Sequence, residues 1–185
     1  MGTRNLTKVV MNGDVVVAQY GQWDGYPAGQ GITAFNFLKE KENRWALEMG
    51  LQRVYYPTQD ELNEMVKPFE DGSMPGMMTF DSGKAFAEKY PSLTRDTCAE
   101  ILSVIAESKE AVPISLDLEF ENDYLFCEAV YEVNLDYGLF VSYWDRDSST
   151  GEWGSKVVLS FDSLALMDND QYLKLFQNED DLVTN

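Results

Sequence analysis

The stretch VVMNGDVVV, residues 9–17, gives the clearest structural signal near the start of the chain. Valines flank the dipeptide Asn12-Gly13, and Asn-Gly is typical of a type I′ turn between two antiparallel strands. Because β-branched residues favour strands, the pattern predicts a β-hairpin with strands over 5–11 and 14–20. The start of the chain is therefore expected to lie in an antiparallel sheet.

After Pro113 the sequence changes to a period of two residues. Apolar and polar side chains alternate over 114–121, which is typical of a strand with one face on the core. Further strands are predicted over 125–135, 138–145 and 153–161. The half of the chain from 110 to 161 is therefore predicted to be an antiparallel meander that joins the N-terminal hairpin in one sheet.

Residues 32–109 are predicted to be mainly helical, because their apolar residues recur every three or four positions. The predicted helices span 32–49, 58–66, 82–90 and 94–108. Residues 162–185 are predicted to form a helical, acidic tail. Together with the hairpin and loop of 1–31, these segments predict a single α+β domain over 1–185, an antiparallel sheet with helices packed on its faces.

Composition limits the chemistry that the 185-residue chain can perform. It contains no histidine, which removes Ser-His-Asp catalysis, Cys-His catalysis and histidine-ligated zinc. Its two cysteines, Cys98 and Cys127, are too few for an all-cysteine zinc site. We interpret both as small buried apolar residues, and we expect neither a metal nor a cofactor.

Charge is distributed unevenly along the chain, whose formal net charge is −18. Residues 1–109 carry a net charge of −4, whereas residues 110–185 carry −14. Such a field repels nucleic acid and acidic membranes, and it attracts basic surfaces. No apolar segment resembles a signal peptide or a membrane span. We therefore expect a cytoplasmic protein whose partner is a basic protein surface, with no nucleic acid or membrane bound directly.

The stretch AQYGQWDGYPAGQG, residues 18–31, mixes three large aromatic rings with four glycines. No regular helix or strand favours that composition, so the sequence predicts a loop. One interpretation is a cap on the core, in which glycines let the backbone turn around the rings and Trp23 is enclosed. A second is a catalytic loop. A third is a ligand or partner pocket built from Tyr20, Gln22, Trp23, Asp24 and Tyr26.

Three carboxylates, Asp117, Glu119 and Glu121, alternate with the apolar residues of the predicted strand. Alternation would place all three on one face, about 6.6–6.8 Å between neighbours. Such a row could mimic phosphates and engage a basic partner, or it could be a solvated face that prevents edge-to-edge association. A cation site and an acid/base pair are the other interpretations, but carboxylates so far apart rarely converge on one ion.

Gly2-Thr3-Arg4 and residues 19–31 together resemble a group of uncharacterised proteins found in phages, bacteria and fungi, with a weaker match over 128–138. This resemblance implies a fold more than an activity, and it implies an association with phages.

Arg4 and the pair Trp23-Asp24 also resemble, more weakly, the N-terminal nucleophile hydrolases, in which the terminal α-amine serves as general base. This second resemblance implies a four-layer αββα sandwich. It also implies an amide hydrolase that uses Thr3, Arg4 and Asp24. Gly2 departs from the pattern because it has no side chain, so Thr3 would serve only if Gly2 were removed.

Two classes of function follow. The first is a non-enzymatic, phage-encoded binding protein or inhibitor, whose acidic surface engages a basic host protein such as a nuclease or a defence factor. The charge of residues 110–185 and the lack of catalytic side chains favour it. The alternative is an amide hydrolase of the N-terminal nucleophile type, or a degenerate relative of one.

Overall fold

The N-terminal hairpin starts the main sheet in the computed structural model, which describes residues 2–177. β1 (Asn5–Met11) and β2 (Asp14–Gly21) pair antiparallel over their whole length. Asn12 and Gly13 have φ of +57° and +82°, the left-handed values that a type I′ turn requires. The predicted hairpin is confirmed.

The predicted helix over 32–49 is two helices separated at Glu40. α1 (Ile32–Lys39) ends where Glu40 adopts an extended backbone, and α2 (Lys41–Leu51) begins directly after it. The guanidinium of Arg44 donates to the last carbonyl oxygens of α1. A cation at this position satisfies carbonyls that have no partner within the helix, which stabilises the break.

A short strand and two helices follow: β3 (Val54–Tyr55), α3 (Gln59–Val66) and α4 (Phe80–Lys89). Thr58 is the N-cap of α3 and forms a capping box with Glu61. No residue from 52 to 91 is buried, and the rings of Phe69, Phe86 and Tyr90 pack against one another in this segment.

The predicted helix over 94–108 is shorter than expected. α5 (Ile101–Glu107) is preceded by a single 3₁₀ turn, Cys98–Glu100, and Cys98 has a φ of +48°. A left-handed residue interrupts helical geometry, so the helix does not extend back to residue 94. β4 (Val112–Pro113) then pairs parallel with β3. The predicted core positions of α5 are buried: Ile101, Leu102 and Ile105.

The predicted strand over 114–121 is wrong. Leu118–Asn122 forms a 3₁₀ helix, and the backbone N–H of Asp117 donates to the Ala18 carbonyl of β2 at 2.9 Å. Because the other edge of β2 is occupied by β1, only this outer edge could accept a further strand. The chain meets that edge at Asp117 and then turns away, so no ladder forms.

Three antiparallel strands complete the sheet, as the sequence predicts: β5 (Ala129–Asn134), β6 (Leu139–Arg146) and β7 (Trp153–Ser160). β5 pairs parallel with β1, so the sheet has the order β2-β1-β5-β6-β7 and is mixed rather than wholly antiparallel. The carboxylate of Asp136, in the β5–β6 turn, accepts the backbone N–H of Asn12 at 2.7 Å. The hairpin and the meander are therefore joined twice, by the pairing of β1 with β5 and by the hydrogen bond between their turns.

The predicted helical tail is two short helices, α6 (Phe161–Ala165) and α7 (Asn169–Lys174). Asp168 lies between them with an extended backbone. It is the N-cap of α7, since its side chain accepts a hydrogen bond from the first turn of that helix. The rest of the predicted acidic tail, residues 178–185, lies outside the described residues.

Helices cover one face of the sheet, and the segment 114–128 covers the other. The helix face carries the larger core, in which the ring of Tyr172 stacks between Phe35 and Phe140. The opposite face carries a smaller cluster of Leu6, Ala18, Cys127 and Val130, with Leu116 and Phe120 packed against it. This packing accounts for part of the apolar alternation that predicted a strand over 114–121.

The architecture is α+β, as the sequence predicts, with helices packed on a five-stranded sheet. A four-layer αββα sandwich needs two stacked sheets. Within residues 2–177 the second ladder consists only of the two-residue strands β3 and β4, so that finer expectation is wrong. Both cysteines are buried and free, as expected.

Tyr172→Ala is expected to lower the free energy of unfolding by about 3–5 kcal/mol. Tyr172 is fully buried, and its hydroxyl lies 3.0 Å from that of Ser142, so truncation leaves a cavity and an unpaired hydroxyl. Urea denaturation measures the change. Tyr137→Ala is the matched control, because Tyr137 is 78% exposed and its loss should have little effect. Equal destabilisation by both changes would contradict this description of the core.

Candidate functional site

The aromatic loop after β2 is fixed by backbone hydrogen bonds to distant parts of the chain. The N–H of Gly25 donates to the Thr3 carbonyl at 2.9 Å, and the N–H of Gln22 donates to the Arg95 carbonyl at 3.0 Å. The buried hydroxyl of Tyr131 donates to the Gly25 carbonyl at 2.7 Å. The loop is therefore part of the packed structure, which agrees with its interpretation as a cap on one end of the sheet.

Gln30 closes the loop on itself. Its backbone N–H donates to the Asp24 carbonyl at 2.9 Å, and its side-chain amide donates to the Trp23 carbonyl at 3.3 Å. The same side chain accepts the backbone N–H of Ala99 at 3.1 Å. One glutamine thus ties both ends of the loop to the 3₁₀ turn before α5.

The glycines of the loop permit close approach. A Cβ atom at Gly29 would lie 2.1 Å from the carbonyl oxygen of Asp24. A Cβ atom at Gly31 would lie 2.8 Å from the hydroxyl oxygen of Tyr172. Any larger residue would force the backbone of the loop away from the core, which explains why a loop rich in rings also needs glycine.

The three rings of the loop have different environments. Tyr20 is partly buried and packs edge-to-face on Phe120. Trp23 is 47% exposed rather than enclosed, and its indole N–H donates to Asp96 at 2.8 Å. Tyr26 is 40% exposed, and its hydroxyl donates to Asp24 at 3.2 Å. Two of the rings are therefore presented to solvent, each held by a carboxylate.

The strand order brings a second loop to the same end of the sheet. β1 and β2 are antiparallel whereas β1 and β5 are parallel, so the end of β2 and the start of β5 both lie beside the start of β1. The Arg4 guanidinium lies 4.5 Å from the centre of the Phe126 ring. The backbone N–H of Arg4 donates to the carboxylate of Glu128 at 3.1 Å. The Trp23 ring packs directly against Gly2, since a Cβ atom at that position would lie only 2.4 Å from the ring.

We call the resulting patch the N-terminal surface. It consists of residues 2–4 and of four exposed side chains in the two loops that flank them: Trp23, Tyr26, Leu125 and Phe126. The acidic side chains beside them are Asp24, Asp96, Asp123 and Glu128. Leu125, Phe126 and their acidic neighbours were not predicted as site residues, because the sequence pattern over 125–135 favours a strand. The acid-flanked apolar run DYLFCE, residues 123–128, is the signal that was present.

The three carboxylates predicted to share a strand face do not form a row, since no strand exists there. Asp117 lies against β2 and accepts the backbone N–H of Tyr20 at 3.1 Å. Glu119 is exposed. Glu121 pairs with Lys8 of β1 at 2.8 Å, where the segment 114–128 meets the sheet. The regular spacing required for phosphate mimicry is therefore absent, and Asp117 is instead brought next to Tyr20.

Lys8 anchors that segment to the sheet. It forms ion pairs with Glu121 and with Glu132 of β5, at 2.8 and 3.1 Å. Burial lowers the pKa of Lys8, but the two carboxylates outweigh burial and the net shift is upward. Neutralising Glu121 would therefore disturb packing as well as surface charge.

The three residues of the hydrolase interpretation are not joined to one another. Arg4 stacks on Phe126, and the carboxylate of Asp24 accepts the Tyr26 hydroxyl. Within residues 2–177, no hydrogen bond links the side chains of Thr3, Arg4 and Asp24. No group of three or more His, Cys, Asp or Glu side chains in this part of the chain is placed to hold a metal ion. None of its helices is both long and apolar enough to cross a bilayer.

Comparison of the chain with protein-family models, with curated proteins and with solved structures finds no match in any of the three. The resemblance to phage, bacterial and fungal proteins therefore stays a prediction.

Gly29→Ala is expected to destabilise the protein by about 1–3 kcal/mol, since the new methyl group would overlap the Asp24 carbonyl. Gly83→Ala is the matched control. Gly83 lies inside α4 with nothing within 4 Å of its Cβ position, so alanine there should stabilise by about 0.5–1 kcal/mol. Urea denaturation measures both. A stabilising effect at residue 29 would show that the loop is not held as described.

Asp117→Asn is expected to raise the unfolding temperature near pH 7 by about 1–3 °C. Burial raises the pKa of Asp117, so the folded state favours the neutral acid and its charge costs stability at neutral pH. The advantage of asparagine should shrink as the pH falls through the raised pKa towards the unfolded value near 3.9.

Thermal melts of both proteins from about pH 7 down to about pH 3.5, below the unfolded value, measure this pH dependence. Glu119→Gln serves as the control, because Glu119 is exposed and its neutralisation should leave the melting temperature nearly unchanged. A constant difference between Asp117→Asn and the original protein across the range would mean that Asp117 does not titrate in it.

Proposed function

We propose that the protein is a binding protein, and that the N-terminal surface is where it contacts a basic protein partner. The observation that carries this proposal is the grouping of four exposed apolar side chains, from two separate loops, around residues 2–4. Large exposed apolar groups bordered by polar ones are typical of protein interaction sites.

The side-chain types support this proposal. Tryptophan, tyrosine and phenylalanine are enriched at the centres of protein interfaces, because they bury a large area at a low cost in conformational entropy. The N-terminal surface supplies one of each, Trp23, Tyr26 and Phe126, together with Leu125.

The acidic residues support it in two ways. Each holds part of the surface in place: Asp96 accepts from the Trp23 indole, Asp24 from the Tyr26 hydroxyl and Asp123 from the backbone N–H of Phe126 at 3.2 Å. A surface fixed before binding loses less entropy on binding. The same carboxylates favour a partner of opposite charge.

The wider charge distribution also favours a basic partner. Residues 110–145 contain nine acidic side chains and no lysine or arginine. Such a field accelerates encounter with a positively charged protein, and salt weakens this effect. The hydrolase alternative gains no comparable support, since within residues 2–177 no hydrogen bond links the side chains of Thr3, Arg4 and Asp24.

A random peptide library selected on the immobilised protein tests the proposal. We expect the selected peptides to be rich in lysine or arginine together with aliphatic or aromatic residues. Their association rates should fall as salt rises from low to physiological concentration. Leu125→Ala should weaken binding of a selected peptide about tenfold, which corresponds to about 1.4 kcal/mol.

Phe80→Ala is the matched control, because Phe80 is 88% exposed and lies in α4, outside the N-terminal surface. It should leave peptide affinity unchanged. Selected peptides without net positive charge would contradict the basic partner. Peptides whose affinity is insensitive to Leu125→Ala and Trp23→Ala would contradict the location.

A further inference from the structure

A small polar cavity lies along the outer edge of β2. Its volume is about 180 Å³. Seven polar residues line it: Gln19, Tyr20, Ser92, Thr94, Arg95, Ser115 and Asp117. None of them belongs to the N-terminal surface or to the acidic residues beside it, so the cavity is a separate site.

Two opposite charges line this cavity without neutralising each other. The ion pairs within residues 2–177 are those of Lys8 and Lys67, so neither Asp117 nor Arg95 has an ionic partner there within 4.0 Å. Charges of opposite sign in one cavity attract each other, and pairing would be the simplest way to stabilise both. Both charges are therefore unpaired within residues 2–177 and are open to the complementary charges of a ligand.

The acidic wall of the cavity has unused hydrogen-bonding capacity. One oxygen of Asp117 accepts the Tyr20 N–H, and the other accepts no hydrogen bond from residues 2–177. The side-chain amide N–H groups of Gln19 donate to the carbonyl oxygens of Thr94 and Tyr20, at 2.9 and 3.2 Å. This arrangement leaves the Gln19 side-chain oxygen without a hydrogen bond from residues 2–177, and Gln19 lines the same cavity as Asp117. Two acceptors, one of them charged, are suited to an ammonium group.

Arg95 supplies the positive charge of the cavity. Its side chain is exposed, and its guanidinium makes no hydrogen bond within the described part of the chain. Its backbone carbonyl accepts the Gln22 N–H, which fixes the residue beside β2. A guanidinium presents a planar set of donors that matches the two oxygens of a carboxylate.

We propose that this cavity binds a small zwitterion of the α-amino-acid class. The ammonium group contacts Asp117 and the Gln19 side-chain oxygen, and the carboxylate group contacts Arg95. The volume of about 180 Å³ is sufficient for a small molecule of this class. A ligand with only one of the two charges would leave the opposite charge of the cavity unpaired, and it would bind more weakly.

The test is a titration of ¹⁵N-labelled protein, at about pH 7, with each common α-amino acid in turn. The backbone N–H of Tyr20 is the reporter, because it donates directly to Asp117. We expect a saturable shift of this resonance with at least one amino acid. Ethylamine and propionate, which each carry one of the two charges, should bind at least about tenfold more weakly.

Asp117→Asn and Arg95→Gln should each weaken the binding at least about tenfold, while well-dispersed spectra show that the variants are folded. Glu119→Gln and Lys109→Gln are the matched controls, because each removes an exposed charge of the same sign outside the cavity. Leu125→Ala should have no effect, which separates this site from the N-terminal surface. The proposal is overturned by the absence of a saturable shift with any amino acid, by equal binding of the singly charged probes, or by full affinity in Asp117→Asn.

Discussion

The parallel pairing of β1 with β5 is the constraint on which the rest of the structure depends. Parallel neighbours cannot be joined by a tight turn, so a long crossover has to connect them. Here the crossover runs from the end of the hairpin to Ala129, and it supplies five of the helices and the segment 114–128. The pairing also brings two loops to the start of β1. The N-terminal surface therefore follows from strand order, with no dedicated element to build it.

Local signals predicted the fold best where a single pattern decides the structure. Asn12-Gly13 determines the hairpin, and Thr58 with Glu61 determines the start of α3, because each acts within a few residues. The alternation over 114–121 predicted a strand wrongly, because such a pattern indicates only which side chains face an apolar surface. Whether a segment becomes a strand depends also on a free edge, and strand order, which no local pattern reveals, sets the edges.

The candidate sites were predictable in part. Composition singled out the aromatic loop, and its glycines contact the core as a cap requires. The exposure of Trp23 was not predictable, because it depends on Asp96, far along the chain. Likewise, Tyr20 and Asp117 were both chosen from the sequence, but for different sites. Only the contact between β2 and the start of segment 114–128 shows that they line one cavity.

The lack of buried residues from 52 to 91 has a consequence for how the molecule comes apart. Within this segment the rings of Phe69 and Phe86 pack edge to face, with their centres 5.5 Å apart. Opening this unit would expose little of the main core, so it costs less than global unfolding. The segment 52–91 is therefore expected to unfold locally while the main sheet stays folded. Amide hydrogens of α3 and α4 would exchange with solvent well before those of β1 and β5.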